Sequence, residues 1–319
     1  MDIIAVIYSR AVTPELRHLR YLLAVAEHGN FTRAAEDLHL SQPTLSQQIR
    51  QLERLVGVPL LDRTGRSVRL TDAGAVYAEH ARRALRELTA ADRAVHDVED
   101  LARGTLRLAV TPTFTPYLVG PLIAEFRALH PGITLEVSEN AQEAMESAIL
   151  ADDIDLGIAF LGTTPPGVEA TPLFEEDLSL VVGEHDAARS PMPIADLADA
   201  ELALLSRDFA TRGHIDDYLR AHGVTPRIAV QANAVQSVIE IVRRTALATV
   251  LPPAIAAAYP GLRAIDLDPP MPTRTVALLR RDQAYRTAAT RAFTRLTTAW
   301  VRDRLPPPRI PQQQNDTSR

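Results

Sequence analysis

The sequence predicts an α/β protein that starts with a winged helix-turn-helix, continues into a long linker helix and ends in a larger α/β region. Residues 14–72 show the pattern of three short helices and a strand pair, and residues 73–104 that of one helix with a heptad repeat. From 105 to 305, strand patterns alternate with helix patterns, which is typical of an α/β fold. Residues 306–319 are rich in proline and glutamine and are predicted to be disordered.

The composition is that of an ordinary globular protein, and it excludes several classes of function. Hydrophobic residues make up 46% of the 319 residues, charged residues make up 23%, and there is no cysteine. The lack of cysteine excludes disulfides, thiol nucleophiles and cysteine–zinc sites within this chain. No apolar run approaches the roughly 20 residues that span a bilayer, so we expect no membrane partner.

The first residues are expected to lie outside the fold. The segment Met1–Ile7 is apolar, but it has no basic leader before it and no small-residue cleavage site after it, so it does not resemble a signal peptide. Residues 1–13 are expected to be a disordered extension or the product of an upstream start codon. We therefore expect a cytoplasmic protein.

Three helices are predicted in the first domain from capping residues and apolar spacing. Thr13-Pro14-Glu15 starts the first helix, and Gly29 follows its last turn. Thr32 is predicted to cap a short second helix, and Ser41 to cap the third. The apolar stripe of the third helix consists of Leu45, Ile49, Leu52 and Leu55.

The opposite face of the third helix carries neutral hydrogen-bonding groups and one cation, where a merely solvated face would carry glutamates. Gln pairs well with adenine, Ser and Thr with several bases, and Arg with guanine or phosphate, so this face is predicted to enter the major groove of double-stranded DNA. The alternative is a solvated face on a three-helix bundle. The candidate DNA-binding residues of the helices are Thr32, Ser41, Gln42, Pro43, Thr44, Ser46, Gln47 and Arg50.

Two short strands, Leu60–Leu61 and Ser67–Leu70, are predicted to form a β-hairpin wing with a glycine turn. Arg63 and Arg66 near its tip complete the candidate DNA-binding set, as contacts to phosphate or the minor groove. The alternative is a basic surface turn. Residues 41–70 contain five arginines and two acids, so this segment is basic although the whole chain carries a net charge of −6.

Five motifs in this region resemble the winged helix of the LysR-type transcriptional regulators. They are Phe31-Thr-Arg-Ala-Ala, Ser41-Gln-Pro-Thr-Leu-Ser, Ile49-Arg-Gln-Leu-Glu, Gly57-Val-Pro-Leu-Leu-Asp-Arg and Leu70-Thr-Asp-Ala-Gly. Their fixed spacing between Leu16 and Gly74 makes the resemblance specific. It implies a DNA-binding regulator that also has RNA polymerase as a partner.

A long helix is predicted after the capping residue Thr71. Its apolar positions recur at alternating spacings of 4 and 3, which forms a heptad seam. We predict that the seam joins two copies into a homodimer that binds an inverted-repeat DNA site. The alternative is one amphipathic helix that packs on its own domain. The LysR resemblance implies such a linker helix, and also a homotetramer. The seam residues are Tyr77, Ala81, Ala84, Leu88, Ala91, Val95 and Val98.

The C-terminal region is predicted to contain mainly parallel sheets. Its length allows one domain or two lobes. The LysR resemblance implies an effector-binding domain with two lobes like those of periplasmic binding proteins, lobe 1 at about 105–174 and 281–305 and lobe 2 at about 175–280. The predicted strands are Leu106–Val110, Ile133–Ser138, Leu156–Phe160, Leu178–Gly183, Leu202–Leu205, Ile228–Gln231, Ala248–Leu251 and Thr275–Leu279, and the predicted helices are Pro116–His130, Ala141–Ala151, Thr211–His222, Ala234–Thr245 and Ala284–Leu305.

Hydroxyl side chains collect where predicted strands give way to helices. Ligands of open α/β sheets bind beyond the carboxyl ends of strands, often at a helix N-terminus whose dipole favours an anion. Hydroxyls without a fixed cation nearby favour a small, weakly charged anion; alternatively, each hydroxyl only caps its helix. The candidate effector-binding residues are Thr111, Thr113, Phe114, Thr115, Phe160, Ser206, Phe209 and Thr211.

Further motifs are similar to one branch of the LysR family, the activators of the cyanate-detoxification (cyn) operon. They include Ala109-Val-Thr-Pro-Thr-Phe-Thr, Asp155-Leu-Gly-Ile-Ala-Phe, Phe209-Ala-Thr-Arg, Ile241-Val-Arg-Arg-Thr and Leu251-Pro-Pro-Ala-Ile-Ala. This resemblance implies an activator with cyanate as its inducer. A regulator of the same family that responds to an organic acid is the alternative, and Arg207 or Arg212 could then clamp the carboxylate.

No catalytic or metal-binding motif is recognised, so we expect neither an enzyme nor a cofactor apart from the small anionic effector. The sequence contains no Gly-x-Ser-x-Gly, His-Glu-x-x-His, phosphate-loop or dinucleotide fingerprint. His214, Asp216 and Asp217 share a helix face poorly, which indicates a solvated helix start and not a metal site. A solute-binding protein or an enzyme on the same two-lobed fold would need an export signal or a catalytic cluster.

Overall fold

The structure, a computed structural model, describes residues 14–65, 67–96 and 103–306. Contacts within the chain form two compact units that divide after His96. Each unit has its own apolar core.

The N-terminal unit is a winged helix-turn-helix followed by a long helix. Leu45, Ile49 and Leu52 of the predicted stripe are buried in its core, whereas Leu55 is only half-buried. The two wing strands pair antiparallel, with Leu61 opposite Leu70; the first lies one residue later than predicted, and the second is two residues shorter. The elements are α1 Leu16–His28, α2 Phe31–Asp37, α3 Gln42–Val56, β1 Leu61–Asp62, β2 Arg69–Leu70 and α4 Asp72–His96.

Two of the predicted helix starts are wrong in detail. The N-cap of α1 is Glu15, whose backbone N–H donates to His18 Nδ1 at 3.0 Å, so the predicted start at Pro14 is too early; Thr13 lies outside the described residues. The cap of α2 is Asn30, not Thr32. The Asn30 amide oxygen accepts from the backbone N–H groups of Thr32 (2.8 Å) and Arg33 (3.2 Å), because it lies one residue before the first helical position.

Helix α4 begins as predicted, since Thr71 Oγ1 accepts from the Gly74 N–H at 2.9 Å. Gly74 is required at this point: a Cβ atom there would lie 1.9 Å from the Leu60 carbonyl oxygen, so only glycine lets the helix pass so close to the wing. The predicted end of the linker near Arg103-Gly104 follows residues 97–102, which are outside the described part of the chain, as is the seam residue Val98.

The first lobe of the C-terminal unit is built on a five-stranded sheet. Its elements are β3 Gly104–Val110, α5 Gly120–Leu129, β4 Ile133–Glu139, α6 Gln142–Leu150, β5 Leu156–Phe160 and β6 Val168–Glu176, and, after the second lobe, β14 Arg274–Arg281 and α10 Ala288–Arg304. The strand order is β4-β3-β5-β14-β6. Strand β3 is parallel to β4 and β5, whereas β14 is antiparallel to β5 and β6.

The second lobe contains three small groups of strands. Strands β11 and β12 pair antiparallel with β7, β9 is parallel to β10, and β8 is parallel to β13. Its elements are β7 Ser179–Gly183, β8 Met192–Pro193, β9 Glu201–Leu205, α7 Ala210–Ala221, β10 Arg227–Ala232, α8 Val235–Arg244, β11 Thr249–Leu251, α9 Pro253–Ala258, β12 Leu262–Ile265 and β13 Leu267–Asp268.

Several predictions for this unit are corrected. The helix predicted from Pro116 begins only at Gly120, after a 3₁₀ turn (Pro112–Phe114) and a π-helical turn (Thr115–Val119). The sheets are mixed, not mainly parallel, because the chain crosses between the lobes on two adjacent antiparallel strands. Strand β14 belongs to the first-lobe sheet, so the return to lobe 1 precedes Arg274, and the lobe boundary predicted at 280 is wrong. The sequence prediction missed β6, β8, β12 and β13.

In the part of the chain that the structure describes, no helix is long and apolar enough to cross a bilayer.

Candidate DNA-binding surface and interlobe cavity

The N-terminal half of α3 presents a polar surface. Ser41 caps the helix as predicted, its Oγ accepting from the Thr44 N–H at 3.3 Å and lying 2.7 Å from Thr44 Oγ1. The candidate side chains Ser41, Gln42, Pro43, Thr44, Gln47 and Arg50 are exposed, and Ser46 is half-buried. Arg50 bonds back to Ser46 through Nη2–Oγ (3.2 Å), which holds its guanidinium against the helix. Thr32 is exposed on α2.

Gln48 faces away from this surface. It meets the fully buried His18, with His18 Nε2 3.0 Å from Gln48 Oε1. His18 Nδ1 already accepts from the Glu15 N–H, so Nε2 carries the proton and donates to Gln48. Gln47 and Gln48 are therefore adjacent in sequence but differ in role, since one is exposed and the other holds α1 against α3.

The wing is fixed to α3 by one carboxylate. Glu53 Oε1 accepts from the backbone N–H groups of Leu60 (3.0 Å) and Leu61 (3.1 Å), and Oε2 pairs with Arg63 Nη2 at 2.8 Å. The Arg63 guanidinium also lies 5.3 Å from the centroid of the Phe31 ring. Arg63, predicted to touch phosphate, is thus tied to its own domain. Arg66 lies outside the described residues.

The seam of α4 divides into two parts. Ala81 is buried and Tyr77 packs against the core of the N-terminal unit. Farther along the helix Ala84, Leu88 and Ala91 are exposed, Leu88 by 42%. The side chain of Val95 is not described. The described helix therefore has an apolar stripe that nothing within its own unit covers.

A cavity of about 130 Å³ lies between the two lobes of the C-terminal unit. We call it the interlobe cavity. Every segment that lines it follows the carboxyl end of a parallel strand, where ligands of open α/β sheets bind. After the first-lobe strands β3 and β4 come Thr111, Pro112, Ala141 and Gln142, and after the second-lobe strands β9 and β10 come Asp208, Phe209, Ala210 and Asn233.

Two helices begin at the interlobe cavity without a capping side chain. Helix α6 has Ala141 at its N-cap and α7 has Phe209, and neither side chain can accept a hydrogen bond. The first-turn N–H groups of a helix need a partner and favour an anion. Thr111 is 4% exposed, and its Oγ1 has no hydrogen-bond partner among the described residues. The cavity thus has an uncapped helix start on each lobe and a buried, unpartnered hydroxyl in its wall, although the Arg212 N–H in the first turn of α7 bonds to the Phe209 carbonyl oxygen at 2.9 Å.

The eight candidate effector-binding residues do not form one cluster. Thr111 and Phe209 line the interlobe cavity. Phe114 is buried against Phe160, with ring centroids 5.0 Å apart, and Thr113 is buried beside it with an unpartnered Oγ1. The other three hydroxyls bond within the protein: Thr115 donates to Glu139 (2.5 Å), Ser206 donates to Asp208, and Thr211 accepts from Arg274 (2.8 Å).

A buried charge network connects the lobes beside these residues. Arg274 Nε donates to Glu176 Oε2 at 2.7 Å, and its guanidinium lies 3.8 Å from the centroid of the Phe160 ring. Tyr117 donates to the other oxygen of Glu176. Burial raises the pKa of Tyr117 well above its usual value and raises that of Glu176, although Arg274 and Tyr117 oppose the Glu176 shift. The expectation of hydroxyls without a nearby fixed cation is therefore wrong for Thr211, and the same cation lies over the ring of Phe160.

Sequence reasoning missed most of the residues that line the interlobe cavity and both members of the Glu176–Arg274 pair. Gln142 and Asn233 could have been found by applying the strand-end rule to every predicted strand, because each follows one. Glu176 and Arg274 could not have been found in this way, because Glu176 lies on the missed strand β6 and meets Arg274 only through the pairing of β6 with β14. Arg212, the proposed carboxylate clamp, is 1% exposed and bonds to Asp216 (2.8 Å) and the Leu205 carbonyl (2.9 Å), so it is committed to its own lobe.

Comparison with known proteins identifies the family. A family model described as "Bacterial regulatory helix-turn-helix protein, lysR family" matches residues 16–75, and one described as "LysR substrate binding domain" matches residues 99–302. The "Hydrogen peroxide-inducible genes activator" of Haemophilus influenzae is 30% identical over 83% of this chain and 90% of its own length. The "RuBisCO operon transcriptional regulator" of Allochromatium vinosum is 32% identical over 72% and 76%.

Among solved structures, full-length CbnR in complex with its target DNA has a TM-score of 0.63 and 25% identity, over 91% of this chain and 99% of that one. The family models and these relatives describe regulators of transcription and not enzymes. The chain belongs to the LysR family of DNA-binding transcriptional regulators.

Proposed function

We propose that this regulator changes its binding to DNA when a small ligand with an anionic group occupies the interlobe cavity. The observation that carries the proposal is the convergence of two uncapped helix starts, one from each lobe, with the unpartnered hydroxyl of Thr111. A ligand that bonds to both lobes binds the closed arrangement better than an open one, and this difference in affinity shifts the equilibrium between them.

The DNA-reading surface of the proposal is the exposed start of α3. In this proposal the exposed side chains of Gln42, Thr44 and Gln47 read base edges, and the exposed Arg50 contacts phosphate. The exposed part of the α4 seam supports a homodimer, whose two recognition helices need an inverted-repeat site. The proposal also includes a homotetramer, a contact with RNA polymerase and activation of transcription. It includes a cytoplasmic location as well, because the protein must reach DNA.

Two effectors are candidates. Cyanate is supported by the motifs that resemble the cyanate-operon activators, and a small organic acid is the alternative. A response like that named for the peroxide-inducible relative cannot use thiol chemistry here, because the 319 residues contain no cysteine.

The experiment combines calorimetry with a DNA-binding titration of the full chain. Cyanate, azide and acetate are titrated into the protein and into the Thr111→Val variant, which removes the hydroxyl and keeps the shape. We expect heat with at least one anion, a change of DNA affinity in its presence, and the loss of both in Thr111→Val while affinity for DNA alone is kept. Ligand heat that Thr111→Val leaves unchanged would place the ligand elsewhere and refute the proposal.

A further inference from the structure

We infer that the ligand of the interlobe cavity is a small zwitterion, such as a short α-amino acid, whose positively charged group binds Asp208. This inference rests on the proposed function of the cavity and goes beyond it by naming the chemical class of the ligand. It follows from the two uncapped helix starts, from the carboxylate of Asp208, from the hydrogen bonds that Gln142 already makes and from the volume of the cavity.

The carboxylate of this ligand binds at the starts of helices α6 and α7. Helices α6 and α7 have nine and twelve residues, and neither has a capping side chain. Thr111, which is almost wholly buried, adds a hydroxyl whose Oγ1 has no partner among the residues that the structure describes. Donors without partners, contributed by both lobes, bind a planar carboxylate well.

Asp208, in contrast, favours a positively charged group on the ligand. This exposed side chain lines the cavity, and one of its oxygens accepts from the Ser206 hydroxyl. Within the described residues no arginine or histidine lies within salt-bridge distance of it, and no backbone N–H of α7 bonds to it. A ligand that is only an anion, such as cyanate, would place a second negative charge beside this carboxylate. A ligand with an ammonium group pairs with it instead.

Gln142 adds a second acceptor. Its amide Nε2 donates to Glu146 Oε1 (3.0 Å) and to the Phe160 carbonyl oxygen (3.1 Å), which uses both of its N–H groups. Only its carbonyl oxygen is left for a ligand, and that oxygen needs a donor. Asp208 and Gln142 therefore both select for N–H groups, and they belong to different lobes.

The volume of the cavity matches a ligand of a few heavy atoms. A cavity of about 130 Å³ holds the equivalent of about four water molecules. Glycine and alanine are zwitterions of that size.

The test is calorimetry on the full chain with matched probes. L-Alanine is compared with propionate, which lacks only the amino group, and with glycine, methylammonium and cyanate. We expect L-alanine or glycine to bind at least about tenfold more tightly than propionate or cyanate. Asp208→Asn should weaken amino-acid binding by about two- to fivefold, because the ammonium group of the ligand loses its charged partner at this exposed side chain, and should strengthen propionate binding.

Asp217→Asn is the control, because Asp217 is an exposed carboxylate on α7, the helix that follows Asp208, and it pairs with Arg220 at 2.6 Å and does not line the cavity. It should bind every probe as the parent chain does. Propionate or cyanate binding as tightly as alanine, or alanine binding unchanged by Asp208→Asn, overturns the zwitterion and leaves the cavity as a site for simple anions. No heat with any probe also overturns it. Heat that depends on Asp208 but is unchanged by Thr111→Val contradicts the proposed function instead.

Discussion

At the scale of single residues, the two adjacent glutamines of α3 differ in their surroundings, since Gln48 bonds to the buried His18 and Gln47 is exposed. Gln47→Ala removes an exposed amide that can pair bidentately with adenine, and each such pair contributes about 1–3 kcal/mol of discrimination. We expect a loss of preference for the operator over random DNA of about tenfold, with little change in affinity for random DNA. Competition titrations with both DNAs measure this.

Gln48→Ala is the internal comparison for that experiment. It removes the acceptor of His18 inside the domain, so it should lower stability and leave sequence preference unchanged. Equal effects of the two variants on operator preference would mean that Gln47 does not read a base.

Glu53 is the residue on which the wing depends. Glu53→Ala leaves the N–H groups of Leu60 and Leu61 without their acceptor, and an unsatisfied buried donor costs about 1–3 kcal/mol. Amide hydrogen exchange at these two residues should therefore accelerate by about tenfold or more. Arg63→Ala is the control, since it removes the ion pair and keeps both backbone acceptors. Unchanged exchange in Glu53→Ala would contradict this role.

The sequence predicted residues well where one side chain decides a local geometry, and poorly where two neighbours compete. Ser41 was identified as a cap because the next residues start a helix without an alternative. At the second helix Asn30 and Thr32 could both accept N–H groups, and only the backbone path decided for Asn30. Asp208 is a candidate ligand contact only because it lines the same cavity as first-lobe residues, and a local sequence pattern cannot show that proximity.

At the scale of elements, the exposed part of the linker seam is the feature with the clearest consequence. A buried leucine side chain contributes about 1.5–3 kcal/mol, and a dimer buries Leu88 from both copies. Leu88→Asp should therefore raise the dimer dissociation constant by at least about tenfold, because it also places two carboxylates at the seam. Sedimentation velocity at micromolar concentration measures the shift.

Val76→Asp is the matched control for the seam. Val76 is 60% exposed on the same helix, but it lies off the heptad positions. The same substitution there should leave the association state unchanged. A parent chain that is monomeric at micromolar concentration, or an equal effect of both variants, would show that the stripe on α4 is not a dimer interface.

The helices and strands could be predicted where their buried residues follow a regular pattern in the sequence. Strand β5 has the predicted bounds because every residue of it is buried, which gives an uninterrupted apolar run. Strand β6 was missed because it contains a proline and polar residues at Val168–Glu176, and its pairing with β14 becomes apparent only in three dimensions. The helix predicted from Pro116 begins later because the residues after Thr111 fold into tight turns that close the end of β3.

At the scale of the whole C-terminal unit, the two lobes depend on contacts between residues far apart in the chain. Glu176 and Arg274 are 98 positions apart, yet they are register partners where the two crossing strands leave the first lobe. Hydrophobic periodicity describes neighbours only, so the division into lobes came from the resemblance to a family, and the position of the return crossing was misjudged. The long-range pairing is also what brings Thr211 of lobe 2 and Phe160 of lobe 1 to the same guanidinium.

This network adds a pH dependence to the stability of the C-terminal unit, through the carboxyl group of Glu176. Burial raises the folded-state pKa of Glu176 above its ordinary value, so folding favours the protonated form. Its stabilising contribution is fully present below the ordinary pKa of glutamate and is lost as the pH rises through the raised folded value. The ordinary pKa of a tyrosine already lies above this window and burial raises that of Tyr117 further, so its phenol remains a donor throughout.

Glu176→Gln keeps an acceptor for Arg274 and removes the titration. Between about pH 4 and 8, the free energy of unfolding of the C-terminal unit should fall with rising pH more steeply in the parent chain than in Glu176→Gln. Urea denaturation across this range gives the difference directly, because all other carboxyls are common to both proteins. Glu143→Gln, at an exposed position on α6, should track the parent. Parallel pH profiles for the parent and Glu176→Gln would mean that Arg274 holds Glu176 ionised in spite of its burial.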